Sequence, residues 1–262
     1  MADPGFPLMH ETQPPRGPGT RTVRLLTYNV HSCRGAGGRA DPARIAKVIA
    51  SCEADIVALQ ELDVGRLRTG GVDQAQVIAA HLSVTSHFHP ALHLEEEKYG
   101  DAILTALPSR LVRAGPLPSA GEPRGALWVA VDIIGGVELN VFTTHFGLRR
   151  GERALQAAAI LGPDWMGGAE CREAPCVLLG DFNAVPSSAT YRMLSRHLRD
   201  ATVAVGERLR PTFPARLPML RLDHVFVNGA VEPVRTQTVA YRLTRIASDH
   251  LPVVAEIRIA AG

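Results

Sequence analysis

The run Val177-Leu178-Leu179, with Gly180-Asp181-Phe182-Asn183 behind it, constrains this chain more than any other stretch. Three apolar residues read as a buried strand, and the glycine breaks it. Residues i and i+2 of an extended chain point to one side, so Asp181 and Asn183 are expected to project from the strand's end into one cleft. A carboxylate and a carboxamide aimed at one point suit a hydrated cation and a phosphate. Asp and Asn after a strand are also common turn formers, so the reading depends on whether other strands end in the same way.

They do. Residues 23–30 form a first strand, with Asn29 at its carboxyl end and His31 two residues on. Gly35-Ala36-Gly37-Gly38 and the Asp41-Pro42 pair then open a helix, whose Ile45, Val48 and Ile49 make one apolar stripe. Strand, glycine-rich loop and helix invite a nucleotide-binding reading, but the spacing matches neither GxGxxG nor GxxxxGK[ST], and the loop reads as a flexible rim. Residues 54–61 form a second buried strand, ending on Glu61. An amphipathic helix is expected over 72–82, with Val72, Ala75, Ala79 and Leu82 on its apolar face. His87 and His89 would share a strand face. No carboxylate or cysteine falls at ligand spacing near them or near His93, so they read as surface or core histidines. Glu95-Glu96-Glu97 reads as a solvated loop, and a strand starts at Tyr99.

A hairpin follows, with arms 126–134 and 137–145 joined at Gly135-Gly136, and Arg124 just before it. Helices are expected at 151–161 and near 187–198. Strands are expected at 221–227, near 231–240 and at 253–259, the last one preceded by Ser248-Asp249-His250. Many strands, several in hairpin order, interleaved with about four helices indicate an α/β protein with mixed sheets. A doubly wound fold would alternate more strictly.

With 262 residues, 46% of them hydrophobic and 21% charged, the chain has the make-up of an ordinary globular protein. A net charge of +2 gives no strong footprint for nucleic acid or an anionic membrane, although a local patch in the cleft is compatible with it. Cys33, Cys52, Cys171 and Cys176 form no CxxC pair and have no histidine at zinc-finger spacing. Reduced thiols in a cytoplasmic protein are expected, with a Cys171–Cys176 bridge as the alternative. No apolar run approaches the ~18 residues that span a bilayer. Residues 1–21 carry five prolines and no signal-peptide block, so they read as a disordered arm before a single catalytic domain, 22–262, expected to be a monomer.

Asn29, Glu61, His145, Asp181, Asn183, Asp223 and His250 thus all fall at or beside strand ends. Three carboxylates, two amides and two imidazoles suit hydrolysis of a phosphate ester with a divalent cation. Thr27-Tyr28-Asn29, Gln60-Glu61, Thr144-His145, Gly180-Asp181-Phe182-Asn183, Asp223 and Ser248-Asp249-His250, in this order, carry a resemblance. The chain resembles the endonuclease/exonuclease/phosphatase family, the superfamily of pancreatic deoxyribonuclease, neutral sphingomyelinase and the inositol polyphosphate 5-phosphatases.

The resemblance implies a four-layer sandwich, two packed six-stranded mixed β-sheets flanked by helices, with the site at one edge. It implies Mg²⁺ (or Mn²⁺) held by Glu61 with Asn29 beside it and Asp249 nearby. Asp181 would position or deprotonate the water, and Asn183 would hold phosphate or metal. His145 and His250 would stabilise phosphoryl oxygens, with Asp223 orienting His250. Arg124 stands where related deoxyribonucleases bind phosphate. Departures point away from abasic-site repair: Thr144-His145 replaces a Tyr-bearing motif, and His31 stands where an acid is usual. Asp101 stands where relatives often carry Asn. The start of the chain also resembles uncharacterised bacterial members and the soluble domain of proteins linked to lipid-anchor remodelling. The expectation is a phosphodiesterase acting on a lipid head group or small organophosphate. The alternatives are a nuclease, which the net charge and low aromatic content do not favour but Arg149, Arg150 and Arg153 near His145 keep open, and a non-catalytic binding member of the family.

Overall fold

The computed structural model describes residues 19–260. The arm expected over 1–21 lies outside them except for its last three residues, and there the expectation is corrected. Strand β1, Thr20–Asn29, already includes Thr20 and Arg21, which pair with Ala260 and Ile259 of the last strand.

Two six-stranded sheets pack face to face. In the first, β1 lies between β2 (Ile56–Val64) and β12 (Val253–Ala260), with β11 (Glu232–Thr238) outside β12 and β4 (Glu97–Thr105) then β3 (Thr85–Leu94) outside β2. In the second, the order is β5 (Ser109–Leu117), β6 (Arg124–Ile134), β7 (Val137–His145), β8 (Cys176–Asp181), β10 (Asp223–Val227) and the two-residue β9 (Arg199–Asp200). Each sheet holds one parallel pair, β1–β2 and β7–β8. Parallel strands need a crossover. Helix α1 (Pro42–Cys52) supplies the first, and α3 (Arg150–Ile160) the second. The remaining helices are α2 (Gln74–Leu82), α4 (Ala189–Ser195), α5 (Ala201–Ala204) and α6 (Thr244–Ala247).

Alternation along the strands builds three cores. Val23 and Leu25 of β1 point between the sheets, toward Val129 and Val131 of β6 and Val177 and Leu179 of β8. Leu26 and Tyr28 point outward under Ile45, Val48 and Ile49 of α1. Leu178 and Phe226 face the α3–α4 side together with Ile160 and Leu194. Each fully buried Leu or Ile adds about 1.5–3 kcal/mol.

Several element expectations need correction. The helix expected from 72 starts at Gln74, because the Asp73 side chain accepts from Gln76 N as its N-cap; Val72 is left outside and exposed. Strands β5 and β9 had no sequence signal: β5 is an edge strand with mostly exposed side chains, and β9 is two residues long. Helices α5 and α6, four residues each, are too short to show a stripe. All four cysteines are free thiols, so the Cys171–Cys176 bridge does not form. Among the described residues no helix is long and apolar enough to cross a membrane.

Candidate active site

The two parallel pairs place the site. Strands of a parallel pair end on the same side, so β1 and β2 bring Asn29 level with Gln60, and β7 and β8 bring His145 level with Asp181. Strand β10 runs antiparallel to β8 and starts where β8 ends, which sets Asp223 opposite Asp181. His145, Asp181 and Asp223 therefore form one row across three strands.

Glu61 reaches this row by a device the sequence did not reveal. Strand β2 does not end there; it continues to Val64. Its register against β4 slips between Leu59 and Leu62, and Glu61 takes a left-handed φ of 62°. A bulge of this kind re-aims a side chain. Here it turns Glu61 toward the row, where Glu61 Oε1 accepts from Asn29 Nδ2 at 2.8 Å. The same Nδ2 donates to Asp181 Oδ2 at 3.0 Å, while Asn29 Oδ1 accepts from His31 N. Asn29 thus clamps two carboxylates.

Gly180 lets Asp181 lie flush with β7. A Cβ there would stand 2.0 Å from Thr144 O, and its φ is 155°. Asp181 Oδ1 then accepts from Asn183 N at 2.8 Å, an Asx turn that holds Asn183 at φ 46°. Asn183 Nδ2 donates to Phe146 O and stands 3.1 Å from His145 Nε2.

The two imidazoles are held differently. Arg124 Nη1 lies 3.2 Å from His145 Nδ1. A guanidinium only donates, so Nδ1 accepts and the ring proton sits on Nε2, 3.6 Å from Asp181 Oδ2 and 3.9 Å from Glu61 Oε1. Burial, helped by the charges of Arg124 and His250, holds His145 well below the usual histidine range. His250 has Nδ1 2.9 Å from Asp223 Oδ2 and Nε2 3.6 Å from Asp181 Oδ2. Burial disfavours its charge, but Asp223 and Asp181 outweigh burial and raise it to about 10. Burial also lifts Asp181 to about 6, against the pull of His250. One ring is neutral and the other cationic.

Nearly all the residues expected to form a site do converge. Arg124 is buried and stands behind His145, pairing also with Glu122. Asp249 stands apart: its half-exposed carboxylate lies 3.6 Å from His31 Nδ1, on the rim. Sequence reasoning assigned no role to four supporting residues. Gln60 bridges the sheets, from Thr27 Oγ1 to Thr143 Oγ1. Ser248 Oγ donates to Asn29 O and accepts from His250 N. The Phe213 ring packs on His250 with centroids 4.8 Å apart. Asp101 is buried opposite the Glu61 bulge and pushed up to about 7 by that burial. Gln60 and Ser248 already stand inside the quoted motifs, without a role; Phe213 had no signal in the sequence.

The residues fit a hard divalent cation. Asp181, Asp223 and His250 are, among the described residues, the one His/Cys/Asp/Glu group with ligand atoms all within 4.8 Å of one another. Both nitrogens of His250 face carboxylates, so the ring donates to them and offers no lone pair; oxygen ligands remain. Asp223 Oδ1 is buried and has no hydrogen-bond partner, and Glu61 remains 20% exposed beside Asp181. Carboxylate oxygens of this density suit Mg²⁺ or Mn²⁺ better than zinc.

Comparison with known proteins supplies the family and the fold. The profile of the Endonuclease/Exonuclease/phosphatase family matches residues 26–250. The chain is 27% identical over 256 residues to the uncharacterized protein YbhP of Escherichia coli K12, covering 91% of this chain and 97% of that one. Among solved structures, an endonuclease/exonuclease/phosphatase from Bacteroides vulgatus superposes with a TM-score of 0.76 at 20% identity, covering 91% of this chain and 99% of that one. A Bacteroides thetaiotaomicron mannosyl-6-phosphatase superposes with a TM-score of 0.73 at 20% identity, with coverage of 90% and 99%.

Proposed function

The chain belongs to the endonuclease/exonuclease/phosphatase family, and on that premise we propose that it is a Mg²⁺-dependent phosphodiesterase acting on a phospholipid head group or a small organophosphate. The observation that carries the reading is the row His145–Asp181–Asp223, with a neutral imidazole on one side of Asp181 and a cationic one on the other.

Asp181 accepts a proton from the attacking water. Its carboxyl titrates near neutrality, which suits a general base, whereas His250 is already protonated and faces two carboxylates. As the water oxygen bonds to phosphorus, the ester P–O bond opposite it breaks, and the leaving oxygen takes its proton from solvent. Two N–H donors, His145 Nε2 and Asn183 Nδ2, converge beside Asp181, where a phosphoryl oxygen satisfies both. His250 adds positive charge on the far side, held in orientation by Asp223. Arg124 acts through His145 by fixing its tautomer. Glu61 would hold the cation with Asn29 beside it and Asp249 out on the rim, and the cation would supply charge neutralisation at the phosphoryl oxygens. A relative of the same fold named as a sugar phosphatase supports phosphoester chemistry without specifying the ester.

The test is a panel of bis-aryl phosphate, aryl monophosphate, phospholipid vesicles, inositol phosphates and plasmid DNA, each with Mg²⁺ and with chelator. Metal-dependent turnover of the diester and the phospholipid, well above that of monoester and DNA, is the expected outcome. Turnover of DNA alone, or full activity in chelator, overturns the reading.

A further inference from the structure

Apolar side chains are left exposed on several faces of this molecule, Leu155 on α3, Val203 on α5 and Leu111 on β5 among them. The four most exposed large ones among the described residues are Leu67 at 85%, Leu148 at 74%, Leu217 at 70% and Met219 at 67%. Each sits on a segment tied to a site residue, in sequence or by contact. Leu148 lies three residues beyond His145, and Leu67 six beyond Glu61. Leu217 and Met219 lie on a tight loop, closed by mutual backbone bonds between Phe213 and Leu220. That loop is fastened to the His250 segment: Ala215 N donates to Asp249 O, Leu251 N donates to Thr212 O, and Phe213 packs on the His250 ring.

Charge divides these segments into two lips. Beside Leu148 stand Arg149 and Arg150, and beside Leu217 stands Arg216. All three are exposed, and none has an ion-pair partner among the described residues. At Leu67 the flanking Arg66 and Arg68 are tied to Glu97 and Asp63, and the β3–β4 turn with Glu95 and Glu96 approaches Gly65. One lip is therefore cationic and apolar, while at the other Arg66 and Arg68 are neutralised and only Arg34, bonded to Arg68 O, lacks a carboxylate partner among the described residues. A net charge of +2 conceals this asymmetry.

We propose that the lip formed by residues 147–150 and 214–220 docks this protein onto an anionic phospholipid surface, with Leu148, Leu217 and Met219 entering the headgroup region and the free arginines meeting lipid phosphates. Exposed leucines next to arginines match what a peripheral site needs, apolar area plus attraction to anionic lipid. Leu and Met have no π-face, and the aromatic ring of the 213–220 loop, Phe213, is packed on His250, which disfavours nucleic acid as the partner. The inference deepens the phosphodiesterase reading, and rests on it, by naming lipid as the source of the ester.

Sedimentation of the full chain with vesicles tests it, and needs no turnover. Phosphatidylcholine vesicles are compared with vesicles holding about one third phosphatidylglycerol, at low and physiological salt. Binding to the anionic vesicles, weakened by salt, is expected, with a ~10-fold fall in partitioning for Leu217→Ser/Met219→Ser and a similar fall for Arg149→Glu/Arg150→Glu. Leu111→Ser, on the exposed edge strand β5, is the control and should bind like the parent. Thermal melts confirm that each variant is folded. Absence of anionic-vesicle binding, equal loss in the Leu111 control, or loss of oligonucleotide binding in place of vesicle binding overturns the proposal. Glu61→Gln separates the two readings: it should dock normally and fail to turn over, so lost docking and lost chemistry are read independently.

Discussion

His145 and His250 place their Nε2 atoms at the same distance from Asp181 Oδ2, 3.6 Å, yet one ring is neutral and the other cationic. The difference comes from what each Nδ1 meets: a guanidinium behind His145, a carboxylate behind His250. A pH–rate profile on a soluble diester should show it. Below about 6 Asp181 is protonated and cannot take the water's proton, so the rate rises with pH through that value; above about 10 His250 loses its proton and the rate falls. A profile flat across pH 5–7 would remove Asp181 from the role of base. Asp223→Asn and His250→Ala should each lower turnover by ~10³-fold, and the double variant by little more, because the pair acts as one unit. Losses that multiply would mean that the two residues work independently. Glu61→Gln keeps the shape and removes the charge. A fall of at least ~100-fold is expected, partly restored by excess Mn²⁺ or Mg²⁺.

Two devices at the scale of elements aim the residues. The bulge in β2 turns Glu61 into the cleft, and Gly180 lets β8 pass under Thr144. A Gly180→Ala substitution would force Cβ against Thr144 O, costing about 3 kcal/mol by overpacking; a melting curve unchanged from the parent would contradict this. Behind the site, Asp200 joins β9, α5 and β10. Its carboxylate caps α5 through Thr202 N at 2.8 Å, accepts from Tyr191 Oη at 3.1 Å, and lies 3.0 Å from His224 Nδ1. His224 Nε2 meets Ala184 O, next to Asn183, so this network also pins the site loop. Burial resists the charge of Asp200, but His224 and Arg221 prevail and its pKa is lowered. A lowered carboxyl stabilises fully above its unfolded value, near 4, and loses that contribution as pH falls through the lower folded value. Asp200→Ala should therefore melt earlier than the parent at pH 7, with the gap closing in acid as pH falls below the ordinary carboxylate range.

For the whole molecule, the central core is shared. Leu25 and Ile257 of one sheet meet Val129 and Val225 of the other, so neither sheet keeps a buried face alone. Near-UV and far-UV circular dichroism should then report one coincident unfolding transition. Two transitions would show that the sheets unfold separately. A near-balanced net charge also predicts that turnover of a small soluble diester depends weakly on salt, in contrast to the steep loss expected of a protein gripping several nucleic-acid phosphates.

Strand ends are local facts, and local facts are legible in a chain. Apolar runs closing on Asn29, His145 and Asp181, and the run that Asp223 opens, follow from two-residue periodicity, and the family resemblance carried by the ordered motifs implies two mixed sheets with the site at one edge. What periodicity cannot carry is anything decided between strands. The bulge at Glu61 is a mismatch of register with β4, visible only once the two are paired. The exposed edge strand β5 buries too little to leave an apolar pattern. The different charge states of His145 and His250 come from Arg124 and Asp223, which lie 21 and 27 residues away along the chain. The cationic lip is likewise assembled from separate loops, because it depends on which arginines find a carboxylate after folding and which do not. Pairing, register and desolvation act across space, so only the tertiary structure decides them.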